Sequence, residues 1–210
     1  MVKVQPAAGG GRWAEISPHR LGGWLDGFYQ RHDGAVEVGL LLSAANGDEA
    51  TLIPPPGVPP VQTVDELLEQ LKLPRRLGLL LARKGAVAVG VAQGDELISS
   101  KVERFYIQGR TAAGGWSQQR YARRRGNQAM AGVREAADIA ARILLPAEPE
   151  LDALVCGGDR ASVDAILSDP RLAPLLAKRH DRLLDVPEPR LSVLEEALSA
   201  AKMIRIHLVP

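Results

Sequence analysis

Tyr106-Ile107-Gln108-Gly109-Arg110-Thr111-Ala112-Ala113-Gly114-Gly115-Trp116-Ser117-Gln118-Gln119-Arg120-Tyr121-Ala122-Arg123-Arg124-Arg125-Gly126-Asn127-Gln128 is the stretch on which the reading turns. Its first residues end a run, Glu96 to Gly109, that reads as a strand with substantial polar content. Arg110 to Gly115 is small and glycine-containing, hence a loop. From Ser117 to Leu145 the chain is rich in Arg, Ala, Glu and Gln, which suits a long helix, and Pro146 closes it. Gly126 and Gly132 fall inside that helix and loosen its first third.

Outward from this unit the pattern stays α/β. Leu79 to Arg83 and Ala86 to Gln93 read as strands joined by a tight turn at Lys84-Gly85, and Gly94-Asp95 turns the chain into the third strand. Downstream, Leu151 to Cys156 reads as a buried strand and Gly157-Gly158-Asp159 as a turn. A helix follows over Ala161 to Leu167, capped by Asp159 or Ser162. Ser192 to Met203 reads as a further helix and Ile204 to Val209 as a final strand. The expected fold class is α/β, a mixed sheet flanked by helices.

The N-terminal part reads differently. Met1 to Gly11 is Gly- and Ala-rich and expected to be flexible. A helix begins at Ser17-Pro18, with Leu21, Trp24, Leu25 and Phe28 spaced for one apolar face. Val36 to Leu42 reads as one strand, Ala45-Asn46-Gly47-Asp48 as a turn and Ala50 to Ile53 as the return strand. Pro54-Pro55-Pro56-Gly57-Val58-Pro59-Pro60 reads as a linker, since proline removes backbone donors and fixes extended geometry. Thr63 to Leu71 is a short helix with Thr63 as N-cap and Glu66 three residues on. The expected organisation is a small N-terminal α+β region over residues 1–60 and a second domain over 61–210. Trp13, Trp24 and Phe28 are expected in the core of the first.

Composition narrows the function classes. Apolar residues make up 46% of the 210 and aromatics only 4%, so the chain is globular and its core rests on Leu, Val, Ile and Ala. The single cysteine, Cys156, excludes an intrachain disulfide and a cysteine-based zinc site. His19, His32, His180 and His207 are scattered, so no metal is expected. No apolar run approaches the roughly 18 residues of a membrane span and no secretory h-region is evident, so a cytoplasmic protein is expected. Net charge is +1, yet Lys101 to Arg142 holds nine basic residues against Glu103, Glu135 and Asp138. One concentrated basic segment fits local contact with phosphate.

Each part of the central stretch has a physical use. Consecutive glycines let the backbone approach a ligand with no Cβ in the way. Backbone N–H groups at a helix start can donate to an anionic oxygen. Arg120, Arg123 and Arg124 have the spacing that places them on one helix face, able to track a phosphate backbone. On these grounds alone the segment is either catalytic, or a structural and RNA-binding element with a solvated basic face. Other centres find less support. Ser117 lacks a nearby His and a G-x-S-x-G context. No acidic cluster supports a nuclease. Gly157-Gly158-Asp159 could bind phosphate, but such turns usually just join strand to helix. Cys156 reads as a small buried hydrophobe. Trp116 either stacks on a base or anchors the loop.

Gly114-Gly115-Trp116-Ser117-Gln118-Gln119-Arg120, flanked by Gln108-Gly109-Arg110 and Arg123-Arg124-Arg125-Gly126-Asn127-Gln128, resembles the catalytic loop of the VLRF-type release factors. These are relatives of the catalytic domain of eukaryotic and archaeal class I termination factors. The resemblance is strongest from about Leu79 to Leu167. It implies a release-factor catalytic-domain-like fold over residues 61–210 and hydrolysis of the peptidyl-tRNA ester on the large ribosomal subunit. It implies peptidyl-tRNA and ribosomal RNA as partners, with no cofactor. By position in the Gly-Gly-x-Ser-Gln form, Gln118 is the catalytic residue, with Gly114, Gly115 and Ser117 beside it and Gln119 as the alternative glutamine. Arg110, Trp116, Gln119, Arg120, Arg123, Arg124 and Arg125 would hold RNA. Trp116 and Ser117 interrupt the Gly-Gly-Gln tripeptide of ordinary termination factors. The rival reading is a non-catalytic ribosome- or RNA-binding protein using the same basic helix.

Overall fold

A computed structural model describes residues 3–7, 10–105 and 116–210, except for the side chains of Lys3, residues 116–127 and Ala129. The chain forms two compact units, one of residues 1–74 with 199–210, the other of residues 75–198.

The first unit has strands β1 (Lys3–Pro6) and β2 (Arg12–Ile16), helix α1 (Pro18–Arg31), strands β3 (Ala35–Val38), β4 (Leu41–Ala44) and β5 (Glu49–Ile53), and helix α2 (Val64–Leu71). Its six-stranded sheet, ordered β1-β2-β11-β5-β4-β3, takes its third strand from the C-terminus: β11 (Ile204–Val209) runs antiparallel between β2 and β5. Ile204 and Ile206 explain this placement. They alternate onto the face where Ala14, Ile16, Leu42, Leu52, Leu21, Leu25, Phe28, Val64 and Leu67 form one core. The final strand therefore does not extend the sheet of the second domain, as the sequence suggested.

Three further local expectations change. Val36 to Leu42 is a hairpin rather than one strand, because Gly39 takes φ +63° and turns β3 back on β4. The Pro-rich run lies inside the first unit: Pro55 and Pro56 are buried, and Val58 and Val61 pack on its core. The units accordingly divide at Pro74/Arg75 and not after residue 60. Trp13 lies on the sheet face away from that core, its ring 4.7 Å from that of His207 and 4.0 Å beneath the Arg205 guanidinium. Trp24 packs against the core and Phe28 is buried in it, as the helical spacing predicts. The capping of α2 also matches: Thr63 Oγ1 accepts from the Glu66 N–H at 3.1 Å, and Glu66 Oε2 accepts from the Gln62 N–H at 2.7 Å.

The second unit holds β6 (Arg76–Arg83), β7 (Ala86–Gln93), β8 (Glu96–Arg104), α3 (Trp116–Leu144), a 3-10 turn over Leu145–Glu150, β9 (Ala153–Gly158), α4 (Arg160–Leu167), the short α5 (Ala173–Leu176), β10 (Arg179–Leu184) and most of α6 (Leu191–Ala201). Its sheet is mixed, in the order β10-β9-β6-β7-β8. β10, β9 and β6 run parallel, while β7 and β8 fold back as antiparallel hairpins. Helices cover both faces. Ala136, Ala140 and Leu144 of α3 and Val163 and Ile166 of α4 pack with Leu80, Val87, Val89 and Leu154. On the other face Leu194 of α6 comes so close to Gly90 that a Cβ there would lie 3.0 Å from its Cδ2. Among the described residues no polar or charged side chain is buried, and no helix is long and apolar enough to cross a membrane.

Candidate functional site

The site is organised by α3. Its buried positions, Ala136, Ala137, Ala140 and Leu144, with the partly buried Val133, recur at the spacing of one helix face and dock on the sheet. The strand before it, β8, is an edge strand, and Phe105, just past its end, donates its N–H to the Gly85 carbonyl at 2.8 Å. Between Phe105 and α3 run residues 106–115. Arg110, Gly114 and Gly115 lie there, outside the described residues. Trp116, Ser117, Gln118, Gln119, Arg120, Arg123, Arg124 and Arg125 all lie on the first turns of α3, their side chains outside those described. The predicted residues from Trp116 to Arg125 thus share one helix, which begins one residue before the expected Ser117.

Phe105 and Gly132 form a contact with α3 that sequence reasoning missed. The Phe105 ring lies on the α3 backbone where Gly132 leaves room for it: a Cβ at Gly132 would sit 3.2 Å from Phe105 Cγ and 3.3 Å from its Cβ. A mid-helix glycine costs roughly 1 kcal/mol against alanine, and this close approach is what the cost permits. From Gly132 the helix runs back sixteen residues to Trp116, about 24 Å at 1.5 Å per residue. The available signal was the glycine itself, unfavourable in a helix unless something packs on it. Because the Phe105 backbone is pinned to Gly85 and its ring packs against the core, Gly132→Ala should lower the melting temperature despite its better helix propensity. A double-mutant cycle with Phe105→Ala should give a coupling above roughly 0.5 kcal/mol. Strictly additive effects would mean the two residues do not meet.

The other sequence candidates resolve into structural roles. Gly158 ends β9 at φ +96°, and a Cβ there would overlap the Ala82 carbonyl oxygen. Asp159 Oδ2 accepts from the Ser162 N–H at 3.1 Å and from Ser162 Oγ at 2.5 Å. These bonds hold its carboxyl below the usual carboxylate range. A carboxylate thus already occupies the N-terminus of α4, where a phosphate would be repelled. Cys156 is buried, and that burial pushes its thiol up to about 11, so it is a packing residue and not a nucleophile at neutral pH. Among the described residues no group of three His, Cys, Asp or Glu side chains is placed to hold a metal.

Comparison with known proteins places this unit. No curated protein matches the chain. The solved structures that match include an archaeal translation termination factor, aRF1, at 14% identity and TM-score 0.49, over 90% of this chain and 64% of that one. Another is S. cerevisiae Dom34, described as a translation termination-like factor, at 10% identity and TM-score 0.37, over 96% of this chain and 70% of that one. The chain thus spans 64% of the length of the archaeal factor. Residues 75–207, which include β8, α3 and the segment between them, match the family described as Actinobacteria/chloroflexi VLRF1 release factor, and the chain belongs to that family.

Proposed function

We propose that this chain hydrolyses the ester of peptidyl-tRNA on the large ribosomal subunit and so releases nascent chains in ribosome rescue. The observation that carries this reading is the family match over residues 75–207, which takes in the Gly-Gly-Trp-Ser-Gln-Gln segment and the helix that bears it. The catalytic unit is then residues 75–198, in place of the 61–210 expected from sequence. The ester is held by the ribosome, and what it lacks is a water in line with the carbonyl. Gln118 positions that water; a carboxamide is too weak a proton acceptor to act as a general base. Gly114 and Gly115 let the backbone enter a crowded centre, and Ser117 lies next to the glutamine. A backbone N–H near Gln118 stabilises the developing oxyanion. Arg110, Trp116, Gln119, Arg120, Arg123, Arg124 and Arg125 hold ribosomal or transfer RNA. The reaction needs no metal or organic cofactor from the protein. Peptide release from purified large subunits carrying peptidyl-tRNA tests the reading.

The arginines make a separate prediction. If Arg123 and Arg124 contact phosphates, replacing both by Ala should flatten the slope of log affinity against log salt by about 1.4–1.8, on the counterion-release estimate. Release at saturating protein should fall much less than affinity, because these residues hold the protein and not the water. A salt titration of ribosome binding reads this directly. Equal slopes for wild type and variant would mean the two arginines face solvent or pair within the fold.

A further inference from the structure

Helix α3 runs unbroken from Trp116 to Leu144, and its described apolar side chains pack on the core only over its second half. Met130 and Ala131 are exposed, and the packing begins at Gly132 and Val133. Gln118 lies fourteen residues before Gly132, about 21 Å along the axis. The contact at Gly132 is therefore made where the anchored part of the helix gives way to the part that carries Gln118. Phe105 makes that contact: a Cβ at Gly132 would lie 3.2 Å from its Cγ and 3.4 Å from its Cδ2. The bare glycine lets the ring reach helix backbone that any larger residue would cover.

Phe105 is itself held in place. Its N–H donates to the Gly85 carbonyl at 2.8 Å, in a turn where Gly85 takes φ +90°. Its ring also packs against the apolar cluster under α3. Successive strand residues face opposite sides of a sheet. Arg104, on the other side, reaches Glu188 in the segment before α6 at 3.3 Å. That pair is exposed and adds little holding force of its own. The end of β8 is thus a fixed point, and the ring passes its position on to α3. A helix anchored at one end acts as a lever. At 1.5 Å rise per residue, a tilt of about 3° at Gly132 moves the Gln118 position by about 1 Å. Where catalysis is positioning, a misplacement of about 1 Å can cost about 10²-fold in rate.

We propose that Phe105, seated on Gly132, is a positioning residue for peptide release: it sets the direction in which the first half of α3 carries Gln118. This rests on the hydrolase reading. The test is single-turnover release from purified large subunits carrying peptidyl-tRNA, read as a rate constant at saturating protein and a half-saturating concentration. Phe105→Ala, which removes the ring, and Gly132→Ala, which displaces it, should each lower the rate constant by about 10–100-fold. The half-saturating concentration should stay near that of the wild type. Phe105→Tyr keeps a ring on Gly132 and should restore the rate. Phe105→Leu keeps an apolar side chain without the ring, and replaces the alanine variant if that one does not fold. Ile166→Val thins the same core in α4; it should lower the melting temperature and leave the rate constant alone. Wild-type rate constants in folded Phe105→Leu and Gly132→Ala overturn the proposal. So does an equal loss in Ile166→Val, which would make the effect one of stability. If the wild type releases peptide and the variants match it, only this proposal falls; if the wild type releases none, the hydrolase reading falls and takes it along.

Discussion

Gln118→Ala should cut peptide release by about 100-fold or more while leaving binding to the large subunit nearly intact. The magnitude follows from what the residue is asked to do. Positioning a water against a held ester is an entropic contribution, and effective molarities of about 10⁵–10⁸ M are reached when such geometry is ideal. The backbone N–H that serves the developing oxyanion is kept in this variant, so the loss is that of water positioning alone. The separation from binding follows from placement: Gln118 is on the first turn of α3, whereas Arg123 lies further along the helix. Single-turnover release with preformed complexes separates the two effects. If Gln119→Ala loses release while Gln118→Ala keeps it, the assignment moves by one residue. If neither change matters, the hydrolase reading fails.

Gly158→Ala should be the most damaging single methyl in the second unit. Gly158 closes β9 beside Ala82 of β6 with φ +96°, and the Ala82 carbonyl accepts the Asp159 N–H at 2.7 Å. An added Cβ is strained by the backbone and overlaps that same oxygen. A residue forced into such a conformation costs of order 1–3 kcal/mol before any clash is counted. For a chain of this size each kcal/mol lowers the melting temperature by roughly 2–4 °C. Thermal and denaturant melts should therefore show a clear loss, equal with and without inorganic phosphate. A phosphate-dependent difference would revive a ligand role for the Gly157-Gly158 turn. A wild-type melting temperature would contradict the close approach of β9 to β6.

What the sequence made legible were the elements with strong local signals. The long helix was bounded by composition and Pro146, α2 by its Thr63 cap, and the hairpin of β6 and β7 by Lys84-Gly85. Gly85 indeed turns at φ +90°. What stayed hidden depends on tertiary partners. β10, Arg179–Leu184, carries Arg179, His180, Asp181 and Arg182 and offered no apolar run to read; it lies at the sheet edge and pairs with β9. β11 has clear alternation, but alternation cannot say which sheet a strand joins. Gly39 turned what reads as one strand into two. For the site, the loop and helix were found by their glycines and arginines. The Phe105–Gly132 contact was not, since it joins residues 27 positions apart.

The central claim, that this chain opens the peptidyl-tRNA ester, is tested most directly on one gel. Purified large subunits carrying peptidyl-tRNA are incubated with the wild-type protein, with Gln118→Ala and with no protein. The products are resolved as free peptide and tRNA conjugate. The account predicts conversion of conjugate to free peptide by the wild type and little above background with Gln118→Ala. Conjugate left intact by wild-type protein that co-sediments with the subunits would contradict it and leave a ribosome-binding protein that does no hydrolysis.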